Sequence, residues 1–87
     1  MTLVSKKERE IIEDGRHVQT LYDAYIGPYI ETSTANLHRA FAGLKPHQTE
    51  EMIEINVSLT AIRKLDADLR TYIAKGRAIE RKIDERE

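Results

Sequence analysis

The chain has 87 residues, 40% hydrophobic and 33% charged, with 14 basic side chains against 15 acidic ones and a formal net charge of -1. One small domain fits that length, and the near-neutral balance lacks the basic excess of a dedicated nucleic-acid binder. Cysteine is absent, which excludes a disulfide framework and a thiolate metal site and suits a reducing compartment. The opening Met1-Thr2-Leu3-Val4-Ser5-Lys6-Lys7 lacks the apolar run of a signal peptide. No stretch approaches the roughly 20 apolar residues needed to span a bilayer. The expectation is a cytoplasmic protein with no membrane segment.

Residues 1–5 are expected to be a flexible N-terminus. Ser5-Lys6-Lys7-Glu8 has the spacing of a capping box, so a helix should start near Lys6. Its first turns, Lys6 to Asp14, are highly charged, with only Ile11 and Ile12 as apolar anchors. That segment is expected to fray or to sit apart. From Val18 the apolar spacing is helical: Leu21, Tyr22, Tyr25, Ile26, Tyr29 and Ile30, then Leu37, Phe41 and Leu44. Gly27-Pro28 interrupts the stripe and predicts a kink or short break, because proline lacks an N–H and clashes with the preceding turn. A fresh N-cap at Thr32-Ser33-Thr34 would be a second way to break the arm.

Gly43-Leu44-Lys45-Pro46 is the strongest punctuation, with Gly43 suited to a C-cap and Pro46 to the first turn of a new helix. The expected turn spans Gly43 to His47. Glu50, Glu51 and Glu54 then sit where the helix dipole favours negative charge. The second arm carries a near-heptad seam: Met52, Ile55, Leu59, Ile62, Leu65, Leu69, Tyr72, Gly76, Ile79 and Ile83. Ile53, Val57 and Ile73 read as lying off it. This arm should reach about 55–60 Å.

A short link between two long helices predicts antiparallel neighbours. The fold class is therefore all-α: a single-domain, long antiparallel helical hairpin over residues 1–87, its first arm kinked or broken near Gly27-Pro28. Two helices make a thin core, and such scaffolds need staples or oligomerisation. Either the first arm folds back through Gly27-Pro28 into a three-helix unit, or the hairpin associates with other chains. The residues expected to mediate protein interaction are Tyr22, Tyr25, Tyr29, Met52, Ile55, Leu59, Ile62, Leu65, Leu69, Tyr72 and Ile79.

Little in the sequence points to catalysis. Glu13 and His17 are four apart, but the ligand spacing of a metal site is missing. His38 and His47 read as surface residues near the turn. There is no nucleophile triad, phosphate loop or nucleotide signature. The expectation is a non-enzyme with no cofactor and no small-molecule substrate. Lys75, Arg77, Arg81 and Lys82, with Arg86, form the one candidate nucleic-acid contact, and Glu80, Asp84, Glu85 and Glu87 cancel most of its field.

Gln48-Thr49-Glu50-Glu51-Met52, the run through Leu59, Ile62, Leu65 and Leu69, and the closing Ala74-Lys75-Gly76-Arg77-Ala78 resemble small helical proteins encoded in head-morphogenesis gene clusters of tailed phages and prophages. Asp14-Gly15-Arg16 is similar too, and the likeness extends over roughly residues 14–83. The Trp those proteins carry in the second helix is missing near Val57 to Leu59. The resemblance implies a structural or assembly role, with incorporation into a virion, and supplies no catalytic residues. The apolar surface that two helices leave over favours a homo-oligomer or larger protein assembly. The other readings are a small nucleic-acid-associated packaging or regulatory module, and a helical adaptor or inhibitor that binds a host protein.

Overall fold

The computed structural model describes residues 4–86, and every element among them is helical. Helix α1 spans Lys6–Leu21, a π-helical turn Tyr22–Ile26 follows, and α2 spans Gly27–Ala42. Together they make one uninterrupted arm. After a link at residues 43–48, α3 runs through Thr49–Arg86 as the second arm, 38 residues long. The rod measures 66 × 20 × 18 Å.

The arms are antiparallel. Tyr22 pairs with Asp66 and Arg70, Arg16 with Glu80, and Glu8 with Arg86, so residue numbers fall on one arm as they rise on the other. The first arm does not fold back, which removes the three-helix alternative. No break occurs at Thr32-Ser33-Thr34 either.

The capping box forms as the sequence predicts. Ser5 Oγ accepts from the Glu8 amide at 3.0 Å, and the Ser5 amide donates back to Glu8 Oε1 at 3.4 Å. Of the stretch expected to be flexible, residues 1–3 lie outside the described residues, whereas Val4 is half-buried and Ser5 caps α1. The charged start of α1 does not stand apart. Ile11 and Ile12 are half-buried and Gly15 is buried, because the C-terminal half of α3 covers them.

Pro28 acts through the turn before it. The Gly27 amide donates to the Tyr22 carbonyl, five residues back, so one extra residue is accommodated ahead of the proline. The dihedrals stay helical on both sides, and the expected kink or break is instead this π turn. A side chain at Gly27 would meet the Tyr22 carbonyl at 3.0 Å and its ring at 3.1 Å.

The extra residue resets the inward face. Before it, Val4, Glu8, Ile11, Gly15, Val18 and Tyr22 alternate by four and three. An undisturbed heptad would next turn Tyr25 and Tyr29 inward. With one residue skipped, Ile26, Ile30, Ser33, Leu37 and Leu44 take those places, all less exposed than Tyr25 and Tyr29, each of which is 71% exposed.

In α3 the inward positions are Met52, Ile55, Leu59, Ile62, Asp66, Leu69, Ile73, Gly76, Glu80 and Ile83, an unbroken three-four alternation of buried and half-buried residues. This corrects the sequence reading at three places. Asp66 replaces Leu65, Ile73 replaces Tyr72, and Glu80 replaces Ile79. Leu65 and Tyr72 are 50% and 48% exposed, whereas Ile73 is buried at 9%. The two carboxylates are tolerated because each has a partner, Asp66 with Tyr22 and Arg70, Glu80 with Arg16.

Pro46 is not in the first turn of α3. It lies in a turn that the Gln48 amide closes on the Lys45 carbonyl at 3.0 Å, while Gln48 Oε1 accepts from the Lys45 amide at 2.8 Å. The Gln48 carbonyl then receives the first helical bond, from Met52 at 3.2 Å. Gly43 ends the first arm as predicted, with a right-handed φ of -85°.

The arms touch backbone to backbone at Gly15 and Gly76. A Cβ on Gly15 would lie 3.2 Å from Gly76 Cα, and one on Gly76 would lie 3.2 Å from the Ile11 carbonyl oxygen. Both glycines occupy inward heptad places, where a side chain would hold the helices apart.

Candidate interaction surface

The core is thin. Leu59, Ile73 and Ile83 are the buried hydrophobics, and among the described residues no side chain is completely enclosed. The chain exposes 6928 Å², against roughly 5,200 Å² for a compact monomer of this mass. Its radius of gyration is 18.7 Å, against about 12 Å for a compact domain of this length.

The two long edges of the rod differ in chemistry. One, the more polar, mixes charged and apolar residues. Its grooves are lined by Gln19, Asp23, Glu31 and His38 with Pro28, Ile30 and Ala35 from the first arm, and by Arg70, Arg77 and Arg81 with Ala74 and Ala78 from α3. Near its middle the Tyr22 hydroxyl donates to Asp66 Oδ1, and Arg70 Nε lies 3.3 Å from the Tyr22 oxygen and 3.1 Å from Asp66 Oδ2. The Arg70 guanidinium also sits 5.7 Å from the Tyr22 ring centre, within cation–π range. The Tyr22 hydroxyl and then Asp66 raise the Arg70 pKa above its ordinary value. Tyr22 is thus a clasp between the arms.

Helical phase turns a different set to the opposite edge: Leu21, Tyr25 and Tyr29 from the first arm, Leu65 and Tyr72 from α3. All five are exposed, from 37% at Leu21 to 71% at Tyr25 and Tyr29. They cluster around the midpoint of both arms. On α3 this edge begins with Glu51 and Glu54 beside the link, carries Asp68 between Leu65 and Tyr72, and ends with Lys75, Lys82 and Arg86 at the open end. On the first arm Lys7, Glu10 and Asp14 lie at the open end and Arg39 near the link.

The residues expected to mediate interaction therefore divide. Met52, Ile55, Leu59, Ile62 and Leu69 are used between the arms, as is Tyr22, and Ile79 is half-buried beside the seam. Tyr25, Tyr29, Leu65 and Tyr72 share the apolar edge. Leu21 joins them; it belonged to the sequence stripe, and its heptad phase could have marked it. Ile53 and Val57, 63% and 64% exposed, lie nearer the link, Ile53 at the heptad place that Arg81 holds, and Phe41 is 40% exposed.

The basic cluster does not form one patch. Arg77 and Arg81 line the polar edge, Lys75 and Lys82 turn the other way, and Arg86 reaches Glu8 at 3.3 Å. That pairing and the Ser5 amide hold the Glu8 carboxyl below its ordinary pKa, the amide contributing most. Arg16 and Glu80 pair at 2.6 Å, which raises the Arg16 pKa. Glu13, His17, His38 and His47 are exposed. Among the described residues no group of His, Asp and Glu is arranged to hold a metal ion, and no helix is long and apolar enough to cross a membrane. Comparison with protein-family models, with curated proteins and with solved structures finds no match to this chain.

Proposed function

We propose that this protein is a non-enzymatic assembly component that acts by helix–helix association through the edge formed by Leu21, Tyr25, Tyr29, Leu65 and Tyr72. The observation that carries the reading is the division of apolar residues into two sets. One closes the hairpin, and five members of the other, Leu21, Tyr25, Tyr29, Leu65 and Tyr72, share one flank although the core is thin, while Phe41, Ile53 and Val57 are exposed elsewhere. Interfaces favour such a composition, since tyrosine offers large contact area with a hydroxyl that remains satisfied at the rim. Head assembly in a tailed phage is the setting that the sequence resemblance adds, and it accords with a rod built to pack beside other helices.

A photo-crosslinking residue placed in turn at Tyr25, Tyr72, Asp23 and Arg77, in cells producing the protein, tests the reading. Adducts from Tyr25 and Tyr72 and none from Asp23 or Arg77 are expected. Adducts in equal yield from both edges, or from neither, would end it.

A further inference from the structure

The edge leaves open which surface covers it. Resting on the association reading, we infer that the occupant is a second copy of this chain, turned end for end about a two-fold axis, so that two hairpins form a four-helix bundle.

Three observations carry this. The first is area. The chain exposes 6928 Å², roughly 1,700 Å² more than a compact monomer of its mass, and a standard interface takes about 800 Å² from each partner. One neighbour along the rod can remove a large part of the surplus. The second is position. Tyr25 stands at the middle of the first arm, with Leu21 and Tyr29 each four residues away. A two-fold axis at Tyr25 sets Tyr25 against its own copy and Leu21 against the other copy's Tyr29. Such self-complementarity is what a closed dimer requires. Leu65 and Tyr72 extend the same contact on α3.

The third is charge. With the rods reversed, Glu51 and Glu54 of one α3 lie beside Lys82 of the other, and Arg39 lies beside Glu10.

The chain has no cysteine, so a single introduced cysteine can cross-link only between copies. Tyr25→Cys puts the thiols on the axis, and Ile53→Cys puts them away from the proposed contact. A disulfide needs Cα atoms within about 7 Å. Under mild oxidation Tyr25→Cys should become a covalent dimer of twice the 10.0 kDa chain mass, at least tenfold faster than Ile53→Cys. Sedimentation of the unmodified protein should show the same doubled mass, dissociating on dilution. Equal cross-linking rates in the two variants, or a chain monomeric throughout the micromolar range, would overturn the inference. A monomer that still gives edge-specific photo-adducts at another mass would overturn the second copy alone and leave the association reading standing. A monomer with no edge adducts would remove both.

Discussion

Substituting Gly76 with Ala tests how closely the arms approach. In an ordinary helix interior, Gly→Ala stabilises by about 1 kcal/mol through helix propensity. At Gly76 the added Cβ would sit 3.2 Å from the Ile11 carbonyl oxygen and 3.3 Å from Gly15 Cα. Both are backbone atoms, so no rotamer change can relieve them, and the arms must part by several tenths of an ångström. Overpacking of this kind costs about 1–3 kcal/mol. The net expectation is a loss of about 0–2 kcal/mol, and Gly76→Leu should cost more. Gly43 is the internal control. Its φ is -85° and its nearest Cβ neighbours would be at 3.7 Å, so Gly43→Ala should stabilise by about 0.4–1 kcal/mol. Urea unfolding followed by circular dichroism, at one fixed protein concentration, reads all three. If Gly76→Ala stabilises as much as Gly43→Ala, the backbones do not meet at this crossing and the register of the arms is wrong.

Four further outcomes follow from the same geometry. Ile73→Ala should cost about 2–3 kcal/mol in urea unfolding, whereas Tyr72→Ala at a monomeric dilution should cost under about 1 kcal/mol, because only Ile73 is buried. Tyr22→Phe removes the hydroxyl that meets Asp66 and Arg70 and should cost about 1–2 kcal/mol, with Asp66→Asn removing much of the same coupling in a double-mutant cycle. Glu8 has its carboxyl pKa lowered from 4.5 by the Ser5 amide and Arg86. Its contribution is therefore complete above the unfolded value and is lost as pH falls through the lower folded value; thermal unfolding in acid should lose stability more steeply in the wild type than in Glu8→Gln. Deleting Ala24 together with Pro28→Ala removes the skipped residue and its cause, so a continuous heptad should keep Ile26 and Ile30 inward and retain full helicity; deleting Ser33 instead, beyond the π turn, should unfold the link end.

Much of the architecture was legible because local signals agreed. The capping box at Ser5 and Glu8, the stop at Gly43, and the regular apolar steps of α3 all point to two long helices. The errors arose where an apolar residue sat next to the true inward position. Counting from Ile62, Leu65 and Asp66 are both within reach of the seam, and hydrophobicity favours Leu65. The signal against it was spacing: Leu59, Ile62 and Leu65 make two consecutive steps of three, whereas Asp66 preserves the alternation. A carboxylate in the seam was hidden because its partner Tyr22 lies on the other arm, 44 residues away.

The tyrosines show the complementary limit. Tyr22, Tyr25 and Tyr29 look like one stripe in sequence, and the proline after them was visible. That Pro28 would be absorbed by a π turn, sending Tyr22 inward and Tyr25 and Tyr29 outward, depends on which register lets Ile26, Ile30 and Leu37 meet α3. Tertiary packing makes that choice. The link repeats the lesson at Pro46, where a good first-turn residue is excluded because Lys45 and Gln48 close a tighter turn ahead of it.

The most direct test of the central claim, that the seam closes the hairpin and the opposite-facing edge associates, is sedimentation equilibrium on the wild type and on a Tyr29→Glu/Leu65→Glu variant, with circular dichroism on the same samples. The wild type should sediment above the 10.0 kDa chain mass, and the variant should remain helical at that mass. A variant of the same mass as the wild type, or one that loses its helices along with association, would contradict it.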